Sequence, residues 1–153
     1  MADDLIKKLP GLFKSLQSSD LYTRDALPVD WKGKVGVYVF YENGDPIYVG
    51  RGKDLRGRIL QHGRQSVQDT PLAFHLTAKK LGYKTNYRKG KGRTKFKSQK
   101  NFKTTFATMK DRVAKMKVRG ITIDNDPKGI LNHLFEAYVA AKLDTPYNSF
   151  LTS

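Results

Sequence analysis

The chain has 153 residues, no cysteine, and 29 Lys and Arg against 14 Asp and Glu, a net charge of +15. That length suits one domain with a sizeable core. The absence of cysteine excludes a disulfide scaffold, a thiolate metal site and a cysteine nucleophile, and no apolar run is long enough to span a membrane.

Residues 1–33 read as a helical extension ahead of a domain covering residues 34–153. Asp3 or Asp4 can cap a short helix carrying Leu5, Ile6 and Leu9. Pro10-Gly11 interrupts it, and Leu12, Phe13 and Leu16 suggest a further turn or two. With no apolar signal region near Asp3 and Asp4, the expected location is cytoplasmic. The extension either packs on the core and covers a sheet edge, or serves as a dimer contact or a DNA-reading element.

Past Lys34 the period changes. Val35, Val37, Val39 and Tyr41 alternate with Gly36, Tyr38 and Phe40, and Ile47 and Val49 alternate with Tyr48 and Gly50. Period-two patterning of this kind predicts two strands. Glu42-Asn43-Gly44 suits a three-residue hairpin loop with Gly in its left-handed last place. Tyr41 would then pair with Asp45, and Tyr38 would face Tyr48. That pair either stabilises the sheet or presents two hydroxyls side by side. The spacing next predicts a helix from Lys53 to about Arg64, with Leu55, Arg58, Ile59 and His62 on one face. An arginine sharing a buried face needs an anion, because a desolvated unpaired charge is costly. Asp54 and Asp69 are the nearby carboxylates, and a phosphate fits the guanidinium fork as well.

Pro71 to Leu81 predicts another helix, with Leu72 and Leu76 in line and Gly82 as its stop. Lys79 to Arg119 holds 16 Lys and Arg and one acid, Asp111, so this block alone carries the whole excess of +15. Concentrated positive charge implies a polyanionic partner, DNA ahead of RNA, and the block lacks the basic amphipathic helix that a membrane surface would want. Residues 83–110 form a basic insertion in which Arg88, Lys89, Lys91, Arg93, Lys95 and Lys97 surround Gly90 and Gly92 in a hairpin or arm. Tyr83, Tyr87, Phe96 and Phe102 either stack on bases or tuck into the core. Asn101 can cap a helix with Phe102, Phe106, Met109 and Val113 along one side.

Ala114, Met116 and Val118, then Ile121 and Ile123, predict a third strand broken or bulged near Gly120. Asp124 or Asp126 with Pro127 starts a last helix that runs to about Leu143. Its apolar stripe is Leu131, Leu134, Phe135, Tyr138 and Val139. Glu136 lies roughly 140° around the helix from Leu131, beside the small Ala137 and Ala140. It is one of 2 glutamates in the chain, Glu42 being the other. The elements together predict an α/β (α+β) fold: a small three-stranded, mainly antiparallel sheet flanked by helices.

Gly36-Val37-Tyr38, nine residues, Tyr48-Val49-Gly50, then Asp54-Leu55, Arg58 and His62, resembles the GIY-YIG nuclease family. Glu136 on a helix and Asn148 within Pro146-Tyr147-Asn148 complete the family's pattern. The resemblance spans residues 34–150, with a middle stretch that does not align. The spacer between the two tripeptides is one residue shorter than the commonest family spacing, and Arg51 follows them where some relatives carry Lys.

This resemblance implies a DNA endonuclease that hydrolyses phosphodiester bonds with Mg²⁺ (or Mn²⁺). Its catalytic set would be Tyr38, Tyr48, Arg58, His62, Glu136 and Asn148, with Glu136 as the metal ligand. Mg²⁺ often takes only one or two carboxylates besides water and substrate phosphate, so a single Glu suffices. Arg58 would neutralise charge on the phosphoryl oxygens. Tyr38 would act as general base, with His62 as its rival. A free tyrosine has a pKa of about 10, so that role requires acidification by Arg51, Arg58 or the metal. Tyr48 and His62 would position water or phosphate, and Asn148 would tie the helix end to the site. Arg51 and Lys53 would join the cations of the insertion in contacting nucleic acid. A restriction-type or phage enzyme is the expected setting, and cutting both strands would take a homodimer or two successive nicks. The alternative is a non-catalytic nucleic-acid-binding protein that keeps the fold.

Overall fold

The structure, a computed structural model, describes residues 1–65, 70–82 and 101–150. Its helices are α1 (Ala2–Gln17), α2 (Leu55–His62), α3 (Pro71–Leu81), α4 (Phe102–Ala114) and α5 (Ile130–Leu143), and its strands are β1 (Gly36–Glu42), β2 (Asp45–Gly52) and β3 (Lys117–Thr122). The strands make an antiparallel sheet of order β2-β1-β3, so the mixed α/β class predicted above holds. No helix among the described residues is long and apolar enough to cross a membrane. The chain divides into two compact units, Met1–Ile59 with Met116–Asn148, and Leu60–Lys115 with Ser149–Ser153.

The first unit is built on the sheet. Val37, Val39 and Tyr41 of β1 and Val49 of β2 bury one face against Leu9 and Leu16 of α1 and Leu131, Phe135 and Val139 of α5. Helix α1 runs unbroken through Pro10, where an interruption was expected. Leu5, Leu9, Leu12, Phe13 and Leu16 all pack on that core, and burying this face outweighs the one backbone hydrogen bond a proline removes. Asp3 and Asp4 fall inside the first turn and make no side-chain cap. There they favour the positive end of the helix dipole. Helix α5 begins later than expected, at Ile130, and Asp126 caps it from upstream. The carboxylate of Asp126 accepts from the N–H groups of Leu131 and Asn132 at 3.0 and 2.9 Å.

The hairpin differs from the expected loop. Asn43 and Gly44 both have positive φ, 53° and 84°, which makes a two-residue primed turn that matches the twist of the strands. Glu42 pairs with Asp45 and Tyr41 with Pro46; a bulge follows, and Phe40 pairs with Tyr48 and Tyr38 with Gly50. Tyr38 therefore does not face Tyr48. The turn is one residue shorter than predicted, and the bulge at Ile47 absorbs one more. Beyond the bulge the net shift is two residues, and an even shift keeps the side chains there on their expected face. Tyr38 and Tyr48 thus remain on one side of the sheet as diagonal neighbours.

The N-terminal segment also closes the outer edge of β3. Tyr22 donates its N–H to Val118 O and accepts the Val118 N–H, both at 2.8 Å, and Arg119 Nε donates to Ser19 O at 3.0 Å. The Tyr22 ring meets Trp31 edge-on, with centroids 5.5 Å apart. A Cβ at Gly120 would come within 2.8 Å of the Trp31 ring. Gly120 is therefore room for an indole and not a break: β3 pairs with β1 without interruption, which corrects the expected bulge.

In the second unit, α3 has the predicted bounds and ends at Gly82 with φ +75°. Phe102, Phe106, Met109 and Val113 of α4 are buried as the spacing requires. Phe102 lies 6.0 Å from Phe74 and 5.3 Å from Phe106 between ring centroids, so it belongs to a core and does not present a stacking platform. Asn101 precedes α4 without a side-chain cap. Lys110, one of the cations of the basic block, points inward. It is 2% exposed, donates to Gln65 O at 3.0 Å and lies 4.2 Å from the centroid of the Phe106 ring.

Candidate active site

The edge of the sheet formed by β2 carries a different chemistry. Tyr38 sits in the middle of β1 with glycine as its cross-strand neighbour on both sides, Gly50 and Gly120. Lacking a Cβ, Gly50 lets the Tyr38 ring lie across β2, since a methyl there would overlap the phenol oxygen. The tyrosine is 1% exposed. Helix α2 starts right after β2 and is anchored by Asp54, whose Oδ1 accepts from Gly33 N at 2.9 Å and Gly57 N at 3.2 Å. These bonds hold the Asp54 carboxyl below its ordinary range and point the first turn so that half-buried Arg58 hydrogen-bonds the Tyr38 hydroxyl.

Burial decides the state of that hydroxyl. It pushes Tyr38 well above the ordinary 10.0; Tyr48 and Glu136 add to the rise, and the charge and hydrogen bond of Arg58 oppose it without prevailing. The expected acidification of Tyr38 by its cationic neighbours is therefore not met by the protein alone. In this setting Tyr38 is a neutral phenol.

Glu136 comes to the same edge from α5. Its Oε1 lies 3.3 Å from Arg51 Nε, with Glu136 17% and Arg51 35% exposed. The Arg51 Nε is sealed from solvent and makes no well-aligned hydrogen bond, so charge attraction is the larger part of the contact and hydrogen bonding the smaller. Burial lifts the Glu136 carboxyl above its ordinary value; Arg51 and then His133 pull it down by less. His133 itself is exposed and its Nδ1 bonds Gly129 O at 3.0 Å.

Asn148 clamps the free side of β2. Its Oδ1 accepts the Val49 N–H at 2.7 Å and its Nδ2 donates to Val49 O at 2.8 Å. One carboxamide thus does the work of a neighbouring strand residue. Thr145 Oγ1 donates to the same Oδ1 at 2.8 Å, and Tyr147 N donates to Ile47 O at 3.3 Å. The end of α5, and Glu136 with it, is thereby tied to the strand that carries Tyr48 and Arg51.

Tyr38, Tyr48, Arg51, Arg58, Glu136 and Asn148 therefore all fall in the first unit. His62 is fully buried at the end of α2 and belongs to the second unit. Lys53 is exposed just ahead of α2. Arg88, Lys89, Lys91, Arg93, Lys95 and Lys97, with Tyr83, Tyr87, Phe96 and Asp69, lie outside the described residues. Sequence reasoning missed Thr145, which orients Asn148, and the pairing of Arg51 with Glu136. The Arg51 pairing leaves no local signal because it joins distant segments, whereas Thr145 lies only three residues before Asn148 and its spacing was the available clue.

Compared with protein-family models, curated proteins and solved structures, the chain has no match.

Proposed function

We propose that this chain is a metal-dependent DNA endonuclease of the GIY-YIG kind. The observation that carries the reading is the convergence on one phenol: Arg58 bonds the Tyr38 hydroxyl, and Tyr48 and Glu136 lie close enough to act on its charge. These are the residues on which the sequence resemblance rests, and a purely structural role gives no reason to gather them beside a desolvated carboxylate. The resemblance to the family and the block of positive charge point the same way.

Among the described residues no group of three or more His, Cys, Asp or Glu could hold a metal ion. Glu136 is a lone carboxylate, largely buried, and its neighbour Arg51 does not present a well-aligned Nε–H to it. That donor set fits Mg²⁺ or Mn²⁺, which accept one protein carboxylate and fill the remaining positions with water and phosphate. It does not suit a zinc site, which wants three or four nitrogen or sulfur ligands. Bound there, the cation would supply charge neutralisation at the phosphate and the leaving oxygen.

The protein's own groups do the rest. Arg58 offers a guanidinium to the phosphoryl oxygens, whose charge grows as the nucleophile attacks. Tyr38, kept protonated by burial, donates its hydroxyl hydrogen bond to a phosphate oxygen, and the attacking water passes its proton to solvent. Tyr48, half-buried beside it, positions the same group. Asn148 holds β2 and α5 together, so the spacing between Arg58 and Glu136 stays fixed. Arg51 and Lys53 contact flanking phosphates, and the basic block supplies most of the affinity.

The test is incubation of supercoiled plasmid with purified protein and Mg²⁺, beside EDTA and Glu136→Gln controls. Nicking or linearisation lost in both controls is the expected result. Clear gel-shift binding with no cleavage of plasmid, branched or single-stranded DNA would replace this reading with a binding protein that keeps the fold.

A further inference from the structure

Arg51 follows Tyr48-Val49-Gly50 directly, where a phosphate contact is the simplest role for a cation. Its observed partner is instead Glu136, the carboxylate assigned above to a divalent cation. We infer that Arg51 is the resident counter-cation of Glu136, that it gives up this carboxylate when a divalent cation binds, and that its guanidinium then turns to the DNA backbone. The inference rests on the reading of Glu136 as the metal-holding group.

Three observations support the exchange. First, the contact is incomplete: Nε and Oε1 are 3.3 Å apart, yet the buried N–H makes no aligned hydrogen bond. A charge-assisted bond of good geometry would be shorter and directed, so little directional bonding is lost when Arg51 leaves. Second, Arg51 lies between Gly50 and Gly52 at the end of an edge strand. The Arg51 side chain is 35% exposed, so part of it already meets solvent, where an incoming phosphate can reach it. Third, Glu136 is held in place independently of Arg51. It projects from a regular helix whose far end is clamped to β2 through Thr145 and Asn148.

The exchange couples cation and substrate. Without DNA, Arg51 competes with the divalent cation for one carboxylate. A phosphate that draws Arg51 away removes the competitor, so each ligand tightens the other by the same factor. An ion that cannot settle firmly until DNA arrives also keeps the empty site from holding a charged, solvent-open metal.

Mn²⁺ binding to the DNA-free protein, followed by the paramagnetic resonance signal of free Mn²⁺, tests this without any cleavage. Arg51→Gln should bind Mn²⁺ roughly three- to tenfold tighter than the unaltered chain. Arg51→Lys, which keeps the charge on a shorter side chain without the guanidinium fork, should fall between the two. Glu136→Gln should remove the site in all backgrounds. Thermal melts of each variant establish that the fold persists, and Arg51→Lys carries the comparison should Arg51→Gln fail to fold. Equal or weaker Mn²⁺ binding by the Arg51 variants, with the Glu136 dependence intact, overturns the exchange and leaves the nuclease reading standing. Binding that ignores Glu136 overturns both. Magnesium-dependent plasmid cleavage reports on the nuclease reading alone.

Discussion

The two edges of the sheet are finished in opposite ways. At β3 the edge is closed by backbone bonds to Tyr22 and by the Tyr22 and Trp31 rings, with Gly120 making room for the indole. At β2 the Asn148 carboxamide satisfies Val49 and the Tyr147 N–H meets Ile47 O, and the space around them collects a buried phenol, two arginines and a desolvated carboxylate. A sheet edge left open invites pairing with another chain, and both edges answer that hazard. Among the described residues of the two edges, only the β2 edge does so with a buried group that lacks an aligned hydrogen bond, the Arg51 Nε. Imperfect satisfaction lowers stability and is what a site for an incoming charged ligand requires.

Substitutions can separate the two edges. The largest expected effect is at Arg58. Arg58→Ala should lower plasmid cleavage by about a thousandfold, the scale for losing a charge that acts on the transition state. DNA affinity by fluorescence anisotropy should hold within about threefold, since most phosphate contacts lie elsewhere. A cleavage rate within about tenfold of normal would remove Arg58 from the chemistry.

The next pair of variants sets glycine against glycine. Gly50→Ala forces a methyl onto the Tyr38 hydroxyl, and Gly120→Ala forces one onto the Trp31 ring. Both overpack and should cost about 1–3 kcal/mol in urea unfolding. Cleavage should fall by about a hundredfold only in Gly50→Ala. Equal loss of cleavage in both variants would erase the functional distinction between the edges.

Asn148→Ala should destabilise the protein by about 2 kcal/mol, because the N–H and C=O of Val49 both lose their partner. The corresponding drop in melting temperature is about 4–8 °C. A change below about 0.5 kcal/mol would mean that water replaces the clamp at no cost.

The smallest effect has the opposite sign. Burial raises the Glu136 carboxyl above its unfolded value of 4.5, so the folded state holds this proton more tightly. That contribution to stability is complete below the unfolded value and is lost as pH rises through the raised folded value. At neutral pH the ionised carboxylate is a liability. Glu136→Gln should therefore gain up to about 1 kcal/mol at pH 7 and nothing at pH 4, read from melts at the two values. Destabilisation at pH 7 would mean that attraction to Arg51 outweighs the burial.

Much of this was legible in the chain. Period-two and helical spacing placed the strands and the cores of α3, α4 and α5, because those elements are amphipathic and each responds to its own sequence. Parity also survived: a two-residue error in the hairpin left Tyr38 and Tyr48 on the correct face. What failed was tertiary. Pro10 looks like a breaker until the face of α1 is seen against Val37 and Phe135. Gly120 looks like a bulge until Trp31 is seen above it. The protonation of Tyr38 ran against expectation because a list of cationic neighbours omits burial, which here is the larger influence. Arg51 was read as a nucleic-acid contact and a cationic neighbour of Tyr38, since nothing in Tyr48-Val49-Gly50-Arg51 announces a glutamate brought in from 85 residues away.

The Asn148 clamp joins residues 99 positions apart, and the Arg119 bond to Ser19 spans 100. Closing loops of that length is entropically slow, whereas Tyr38, Tyr48 and Arg58 lie within 21 consecutive residues and can find one another early. The cationic half of the site is thus a local product of the chain, and its carboxylate is delivered last. A partly folded molecule would present Arg51 and Arg58 without Glu136. On the function proposed here, such a molecule could grip a nucleic acid before it could cut one, and the capacity to cleave would mark the last step of folding.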